Sequence, residues 1–210
     1  MQEPFLLIIA GPNGAGKTTL TQFLRQRSIE FGEYINPDDI ASKLEGSYDE
    51  SVREAQAIAE RRREACIEKK RSFSFETVMS HPSKVEVLVR AKAAGFFVQL
   101  FFVGTDDPQT NVDRVSLRVA QGGHDVPGER IVSRWHRTMA LLPEALRAAD
   151  RSFLFDNSAA GIVDAGPKLV LSLERSAQHG FEPNLRTKTP PDWLRRYALA
   201  PLGIIEAPTD

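Results

Sequence analysis

Residues 8–20 have the sequence IIAGPNGAGKTTL, and this stretch decides the fold. A short apolar run predicts a buried strand over residues 5–10, which ends at Gly11. Three glycines, Lys17 and two threonines follow, and helical periodicity then predicts a helix over residues 18–26. A strand, a glycine loop and a helix in this order are typical of a chain that binds phosphate at a helix N-terminus.

The loop matches the P-loop pattern, in which two glycines frame four residues and are followed by Lys and then Ser or Thr. Glycines let successive backbone N–H groups turn toward phosphate oxygens without a Cβ in the way. We expect Lys17 to reach the β- and γ-phosphates and the Thr18 hydroxyl to bind Mg²⁺. The predicted nucleotide site consists of Gly11, Pro12, Asn13, Gly14, Ala15, Gly16, Lys17, Thr18 and Thr19.

The composition is that of a globular protein with one sizeable core. The 210 residues carry 27 basic and 28 acidic side chains, so the net charge of −1 does not indicate a nucleic-acid or membrane partner. The single cysteine, Cys66, excludes an internal disulfide framework and is interpreted as a small core residue. No apolar run approaches the roughly 20 residues that span a bilayer, and we expect a cytoplasmic protein.

Strand and helix patterns alternate along most of the chain, which predicts an α/β P-loop NTPase or kinase fold. We expect a parallel sheet of about five strands, covered by helices on both faces, with a further helix over residues 166–178. The predicted kinase domain covers residues 1–178 and includes a helical lid at about 112–140. Residues 179–210 form a partly irregular tail, in which Trp193, Leu194 and Tyr197 are expected to dock as one short helix.

Two aspartates follow the second predicted strand, in the sequence YINPDDIA. Ligands of open α/β sheets bind at the carboxyl ends of the strands, so Asp38 and Asp39 should face the same rim as the glycine loop. We interpret Asp38 as a general base that accepts the proton of a hydroxyl attacking the γ-phosphate. Asp39 is interpreted as the cap of the next helix, and capping by both residues is the alternative.

Polar residues also end two other predicted strands. Glu76 and Thr77, in FSFETVMS, are expected to bind a sugar or alcohol hydroxyl of the substrate, or to orient Mg²⁺ through water. The alternative for both is a solvated strand end. Asp156 and Asn157, in FLFDNS, are candidates for contacts with the nucleotide base.

Five arginines surround the Gly122–Gly123 pair in DRVSLRVAQGGHDVPGERIVSRWHR, residues 113–137. Guanidinium groups suit the charge that spreads over a phosphoryl group in transfer, and two helices joined by a glycine elbow suit a closing lid. His124, beside the elbow, is a predicted substrate contact. Arg118, Arg134 and Arg130 are the predicted catalytic arginines, whereas Arg114 and Arg137 are interpreted as part of a charged helical face.

Other nucleotide-dependent functions fit the sequence less well. An apolar strand ending in Asp-Glu, typical of hydrolytic ATPases, is missing, since Gly104 and Thr105 separate the acids of LFFVGTDD from the strand. A guanine-recognition motif is missing too, so the sequence favours a kinase that phosphorylates a small-molecule hydroxyl. A nucleotide-dependent interaction module and a polynucleotide 5′-kinase stay open, although a near-neutral charge argues against the basic channel that the latter needs.

Taken in order, AGPNGAGKTT, INPDDIA, FETVMS and RVSLRVAQGGHDVP resemble the zeta-toxin family of P-loop kinases over about residues 5–158. The resemblance implies a kinase that uses ATP or GTP with Mg²⁺. Studied toxins of the family phosphorylate the sugar of UDP-N-acetylglucosamine and its relatives, so a UDP-sugar acceptor and a small antitoxin partner are implied. The toxins proper have a longer sugar-nucleotide-binding region, and the tail of this chain has no counterpart that we can place in them.

The resemblance also assigns roles to individual positions. It matches Lys17 and Thr18 to the nucleotide and Mg²⁺ residues, and Asp38 to the general base. Glu76 and Thr77 fall in the substrate-contact segment of the family. The lid arginines of the family are matched by Arg118 together with Arg130 or Arg134.

Overall fold

The computed structural model describes residues 3–45, 47–122, 125–159, 166–176 and 180–205. The strands in these ranges are β1 Phe5–Ala10, β2 Glu33–Tyr34, β3 Phe73–Thr77, β4 Phe97–Gly104, β5 Arg151–Asp156, β6 Lys168–Ser176 and β7 Gly180–Leu185. The helices are α1 Lys17–Gln26, α2 Pro37–Ala41, α3 Tyr48–Glu68, α4 Ser83–Ala93, α5 Pro108–Ala120, α6 Gly128–Ala148 and α7 Asp192–Leu194, which continues into the π-helical turn Arg195–Leu199. No helix in the described ranges is long and apolar enough to cross a bilayer.

The strands form one sheet in the order β2-β3-β1-β4-β5-β6-β7. The pairings among the first five strands of this order are parallel, as predicted, whereas β6 and β7 add to the sheet in antiparallel orientation. Within the described residues the sheet therefore has seven strands, where about five were expected. Helical connections place the carboxyl ends of β1, β3 and β4 at one rim, which is where the glycine loop begins.

The helix predicted over residues 166–178 is wrong, because Lys168–Ser176 is strand β6. Its short apolar run, Leu169 to Leu173, is compatible with either a buried strand or a helix. Pairing with β5 decides the outcome: Leu171 lies opposite Leu154, and the pairing covers an otherwise open edge of the central sheet.

The core lies on both faces of the sheet, and β1 contributes to each. Its residues Leu6 and Ile8 face a cluster built with α3, α4, α6 and the C-terminal segment, and this cluster contains Cys66, as predicted. The intervening Leu7 and Ile9 face a smaller cluster that includes α1. A strand covered on both faces is apolar along its whole length, which explains the unbroken run before the glycine loop.

The C-terminal segment docks on the same core. Trp193 is 1% exposed, and its ring packs on Phe102 with the ring centroids 5.8 Å apart. Tyr197 packs edge-on against Trp135 of α6. The short helix predicted around Trp193 is therefore confirmed, and it brings the end of the described chain to the carboxyl ends of β4 and β5.

Candidate active site

The glycine loop is shaped by backbone conformations that favour glycine. Gly11, Gly14 and Gly16 have φ values of 147°, 73° and 105°. A Cβ at Gly11 would lie 2.3 Å from the carbonyl oxygen of Val103, and one at Gly14 would lie 2.6 Å from that of Asn111. The loop therefore packs with its backbone directly on the end of β4 and on α5, which fixes its shape.

Helix α1 begins at Lys17 and presents the features of a phosphate site. Its N-cap is Gly16, so no side chain caps the first turn, and the positive end of the helix faces the loop. The Lys17 ammonium donates hydrogen bonds to the carbonyl oxygens of Gly11 at 3.0 Å and Pro12 at 2.9 Å. The side chains of Thr18 and Thr19 are exposed. The loop residues expected to hold a nucleotide therefore form one continuous cradle.

Three predicted site residues act electrostatically on the Lys17 ammonium. Burial lowers the pKa of Lys17 to about 8, the charges of Glu76 and Asp38 oppose that shift, and the charge of Arg118 adds to it. Asp38, Glu76 and Arg118 come from α2, β3 and α5, which are far apart in the sequence. The charges of two carboxylates and one guanidinium from distant parts of the sequence therefore act on the glycine-loop lysine.

Asp38 and Asp39 lie in the first turn of α2, and both are exposed. The cap of this helix is Asn36, whose Oδ1 accepts a hydrogen bond from the backbone N–H of Asp38 at 3.0 Å. The interpretation of Asp39 as the cap is therefore wrong. Both carboxylates lie at the positive end of α2, where a negative charge is favoured.

The carboxylate of Glu76 is held by two hydroxyl groups. Its Oε1 accepts hydrogen bonds from Thr21 Oγ1 at 2.6 Å and from the Tyr34 hydroxyl at 2.8 Å. Burial raises the pKa of Tyr34 above its ordinary value, and the charge of Glu76 and the hydrogen bond to it add to that rise. Tyr34 therefore stays a neutral donor, and Glu76 is oriented at the rim rather than free in solvent.

Thr21 and Tyr34 were not predicted as site residues. Thr21 lies one helical turn after Lys17, and its Oγ1 is also 3.0 Å from the Lys17 carbonyl oxygen. The i, i+4 spacing from Lys17 is a signal that could have indicated Thr21. Nothing local in the sequence indicates that Tyr34 reaches Glu76.

Thr77 shapes the turn that follows β3. Its Oγ1 accepts a hydrogen bond from the backbone N–H of Met79 at 3.0 Å, and Met79 has a φ of 55°. Helix α6 docks on the same turn, because Thr138 Oγ1 donates to the Val78 carbonyl oxygen at 2.7 Å. Arg134 lies one helical turn before Thr138, so α6 carries it to the region where β3 ends.

The arginines of α5 and α6 have different environments. Arg114 donates to the carbonyl oxygens of Asn157 at 2.8 Å and Ala159 at 3.1 Å, which ties α5 to the segment after β5. Arg134 is half-buried, and burial lowers its pKa, with further lowering from the charges of Arg130 and Arg137. Three cations therefore share one face of α6. The predicted elbow at Gly123 and the predicted substrate contact His124 lie outside the described residues.

Asp156 and Asn157 make hydrogen bonds to the glycine loop and to the C-terminal segment. Asn157 Nδ2 donates to the Ala15 carbonyl oxygen at 2.8 Å, so it holds the glycine loop. Asp156 Oδ1 accepts hydrogen bonds from Trp193 Nε1 at 2.9 Å and from Ser158 Oγ at 2.5 Å. Contacts of these two residues with a nucleotide base stay a prediction.

A buried hydrogen-bond chain connects α6 to the glycine loop. Trp135 Nε1 donates to Thr105 Oγ1 at 3.1 Å, and Thr105 Oγ1 donates to Asn111 Oδ1 at 2.5 Å. Asn111 Nδ2 in turn donates to the Asn13 carbonyl oxygen at 2.6 Å. The side chains of Thr105 and Asn111 are fully buried. Sequence analysis missed this hydrogen-bond network, which joins α6, the segment after β4 and α5 to the glycine loop.

Comparisons with known proteins agree with this architecture. Two structures of AvrRxo1-ORF1 with AvrRxo1-ORF2, one with sulphate ions and one with ATP, are each 17% identical to this chain, with TM-scores of 0.65 and 0.63. They cover 89% and 86% of this chain, which spans only 62% and 60% of theirs. A structure from the PezAT chromosomal toxin–antitoxin system of Streptococcus pneumoniae is 20% identical with a TM-score of 0.56, and the match covers 75% of this chain and 70% of that one. At these identities the likeness shows the fold.

Comparison of the sequence with family models identifies the family of this chain. An uncharacterized protein of Haemophilus influenzae is 28% identical over 133 residues, which are 61% of this chain and 91% of that protein. The model of the zeta toxin family matches residues 1–171, which include the glycine loop, Asp38, Glu76 and both arginine-bearing helices. The chain therefore belongs to the zeta toxin family and has the α/β fold of its kinase-like P-loop proteins.

Proposed function

We propose that this protein is a kinase that transfers the γ-phosphate of ATP, or of GTP, to a hydroxyl group of a small molecule. The observation that carries the proposal is the glycine loop around Lys17, beside which Glu76 is held by Thr21, one helical turn after the lysine. The charges of Asp38 and Arg118 also act on the Lys17 ammonium. A base, an acceptor-binding carboxylate and a cation around a P-loop lysine are the groups that phosphoryl transfer to an alcohol requires. Membership of the zeta toxin family supports the same chemistry.

The residues of the glycine loop fit the phosphates of a nucleotide. The backbone of residues 11–16, the start of α1 and Lys17 would hold the phosphates, since the first turn of α1 has no side-chain cap. The exposed hydroxyl of Thr18 would hold Mg²⁺, which neutralises phosphate charge when bound. Among the described residues no group of three His, Cys, Asp or Glu could hold a metal ion. A magnesium–nucleotide site needs none, because phosphates and waters supply the other oxygens.

The other side chains would act on the acceptor and on the transferred phosphoryl group. Asp38 would take the proton of the acceptor hydroxyl as its oxygen forms the new bond to phosphorus, and the nucleoside diphosphate would leave. Glu76, oriented by Thr21 and Tyr34, would accept a hydrogen bond from another hydroxyl of the acceptor. Arg118 and Arg134, with Arg130, would stabilise the charge on the phosphoryl oxygens.

We further propose a UDP-N-acetyl sugar as the acceptor and a small antitoxin as a protein partner. Family membership supports the sugar nucleotide, and the carboxylate of Glu76 suits a sugar hydroxyl. The structural neighbour from PezAT belongs to a toxin–antitoxin system, and the AvrRxo1-ORF1 neighbours are complexes with a second protein, which supports a partner for this chain as well.

Asp38→Asn provides the test, and Asp39→Asn on the same turn is its matched control. ATP consumption and product masses would be measured for wild type and both variants with a panel of UDP-sugars. We expect Asp38→Asn to lower kcat by about 10²- to 10⁴-fold with unchanged ATP affinity, and Asp39→Asn to stay close to wild type. Equal activity of Asp38→Asn and wild type would remove Asp38 from the mechanism.

The same measurement separates the kinase from a nucleotide-dependent interaction module. The AvrRxo1-ORF1 neighbour, whose structure contains a second protein, and the neighbour from a toxin–antitoxin system support testing this alternative. In such a module, ATP would bind tightly through Lys17 and its loop, no phosphorylated product would form, and Asp38→Asn would not alter partner binding. A phosphorylated sugar nucleotide made by wild type but not by Asp38→Asn would exclude it.

A further inference from the structure

A second polar cleft lies between α3 and α4, and no residue of the glycine loop lines it. Its volume is about 310 Å³, and its walls include Arg63 on α3 and Ser83 and Lys84 at the start of α4. The proposed kinase chemistry uses none of these three residues. The cleft is therefore separate from the proposed kinase site.

Arg63 is a buried cation whose Nε–H has no hydrogen-bond acceptor among the described residues. The residue is 4% exposed, and its Nε is fully buried. The guanidinium lies over the ring of Phe75, 5.1 Å from the centroid. A cation–π contact with phenylalanine satisfies none of the N–H donors, and a buried arginine is ordinarily paired with an acid. Arg63 lines the open cleft, so a ligand bound there would lie beside its guanidinium.

Neighbouring carboxylates offset the burial of this cation only in part. Burial lowers the pKa of Arg63 against the charges of Glu60 and Glu64, and burial followed by the charge of Arg63 lowers the pKa of Lys84 against the charge of Glu60. Glu64 is already bound to Arg90 through two hydrogen bonds of 2.8 and 2.7 Å. The remaining acids of the cleft, Glu60 and Glu86, are exposed and lie on its rim. The cleft thus combines the buried cation of Arg63 and the half-buried cation of Lys84 with carboxylates at its rim that face solvent.

The start of α4 adds a weaker attraction for negative charge. Its first N–H groups are already used, because the backbone N–H of Ser83 donates to His81 Nδ1 at 3.2 Å and that of Lys84 donates to the His81 carbonyl oxygen at 3.0 Å. The positive end of the helix dipole remains. Directed hydrogen bonds to a ligand would therefore come from the side chains of Arg63 and Lys84.

We propose that this cleft binds the anionic oxygen group, a carboxylate or a phosphate, of a small molecule, with Arg63 as the bidentate anchor and Lys84 as the second cation. A planar guanidinium matches the two oxygens of either group. The rim carboxylates Glu60 and Glu86 favour ligands whose other polar groups are hydroxyl or ammonium donors. The proposal is independent of the kinase activity, because it concerns binding at a separate cleft.

The test observes the Nε–H resonance of Arg63 in the wild-type protein by nitrogen–proton NMR, with the signal identified by its loss in Arg63→Lys. Inorganic phosphate and acetate would be titrated separately. We expect a saturable shift with at least one anion: a response to phosphate only assigns a phosphate-bearing ligand, and a response to acetate only assigns a carboxylate. Phosphate bound at the glycine loop would not imitate this result, because the readout belongs to Arg63.

Two variants complete the test. Lys84→Met should weaken the apparent affinity by about tenfold, the value of one charge-assisted hydrogen bond, whereas Arg61→Met, on an exposed position of α3, should leave it unchanged. The absence of a saturable shift with both anions would overturn the proposal. An unchanged affinity in Lys84→Met would overturn the assignment of Lys84.

Discussion

The indole of Trp193 occupies the space in which any side chain at position 104 would lie, since a Cβ on Gly104 would be 2.6 Å from the indole Cδ2. Two hydrogen bonds fix the ring in this position. The backbone N–H of Trp193 donates to Asp106 Oδ1 at 2.8 Å, and its Nε1 donates to Asp156 Oδ1 at 2.9 Å. Glycine is therefore required at the last position of β4 by the way in which the C-terminal segment docks.

We predict that Gly104→Ala destabilises the protein through overpacking, by about 1–3 kcal/mol in the free energy of unfolding. The methyl group must displace the indole or the end of β4, and both are fully buried. Urea denaturation would measure the loss. Gly128→Ala is the control, because its Cβ would lie 3.5 Å from the nearest atom, Val112 Cγ1, and alanine is favoured in a helix.

A double-mutant cycle with Trp193→Ala checks the cause. The single variant Trp193→Ala should cost about 3–5 kcal/mol, because it removes a buried aromatic side chain. In the double variant the methyl group at position 104 no longer meets the indole. The loss of stability in the double variant should therefore be smaller than the sum of the losses in the two single variants. Fully additive losses would show that the strain at position 104 has another origin.

The pKa of Lys17 predicts a pH limit for nucleotide binding. Burial lowers this pKa to about 8, and only the ammonium form attracts phosphate. We expect the affinity for ATP to be constant below that pH and to fall as the pH rises above it, by up to about tenfold per pH unit. Calorimetric titrations from about pH 7 to about pH 9.5 would measure the profile.

Lys17→Met separates this titration from other groups. Its affinity for ATP should be low and should lack the decline above pH 8. Stability supplies a second check: the folded-state pKa of about 8 lies below the ordinary value of 10.5, so the buried charge opposes folding at neutral pH. The free-energy cost of burying this charge should decrease from about pH 8 to about pH 10.5, so the wild type should become more stable over that range. Lys17→Met has no such charge, and its stability should not rise in the same way. A parallel decline of ATP affinity in both proteins would refute the assignment.

The hydrogen-bond chain from Trp135 to Asn13 predicts that a residue outside the nucleotide site affects nucleotide binding. Thr105→Val keeps the side-chain shape but leaves Trp135 Nε1 and Asn111 Oδ1 without partners in a buried region. We expect a loss of about 1–3 kcal/mol in the free energy of unfolding and a weaker affinity for ATP. Calorimetry and urea denaturation would measure the two effects.

Thr110→Val is the matched control for Thr105→Val. It makes the same chemical change close by, on α5, at a half-exposed position. We expect it to change both quantities by less than about 0.5 kcal/mol. Thr105→Val could lose stability but bind ATP as well as Thr110→Val does. That result would show that the hydrogen bonds from Trp135 to Asn13 support the fold without positioning the glycine loop.

Sequence analysis was most successful where function depends on neighbouring residues. The strand, glycine loop and helix around Lys17 are contiguous in the sequence. Glycine is needed at Gly11 and Gly14 because φ is positive there and a Cβ would meet a backbone oxygen. Asp38 and Glu76 were expected at one rim because parallel strands end on the same side. Both act on Lys17 in the structure.

The missed features depend on partners distant in the chain. Glu76 is bonded to Thr21 and Tyr34, which are 55 and 42 residues away, and no local pattern reports such pairs. Residues 168–176 form a strand because β5 offers an edge to pair with, although their apolar run also suits a helix. The capping error at α2 arose because Asn36, Asp38 and Asp39 are all favourable near a helix start, and only geometry selects Asn36.

Arg134 lies among like charges, and this predicts a role on the phosphoryl group. Burial and the charges of Arg130 and Arg137 lower its pKa, and none of the described carboxylates forms an ion pair with it. Helix α6 is held beside the end of β3 by Thr138, one turn later. An anion in this region would relieve the repulsion among the three cations.

We therefore predict that Arg134→Met lowers kcat by about 10²- to 10³-fold, while the affinity for ATP changes by only a few fold, because its charge would matter most as negative charge develops on the phosphoryl oxygens. Arg134→Lys should recover only part of the rate, since an ammonium lacks the planar pair of donors. Arg137→Met, on an exposed position of the same helix, is the control and should stay within about threefold of wild type. Unfolding curves for all three variants would show whether they are folded at the assay temperature. Equal losses in Arg134→Met and Arg137→Met would mean that α6 contributes general positive charge rather than a specific contact.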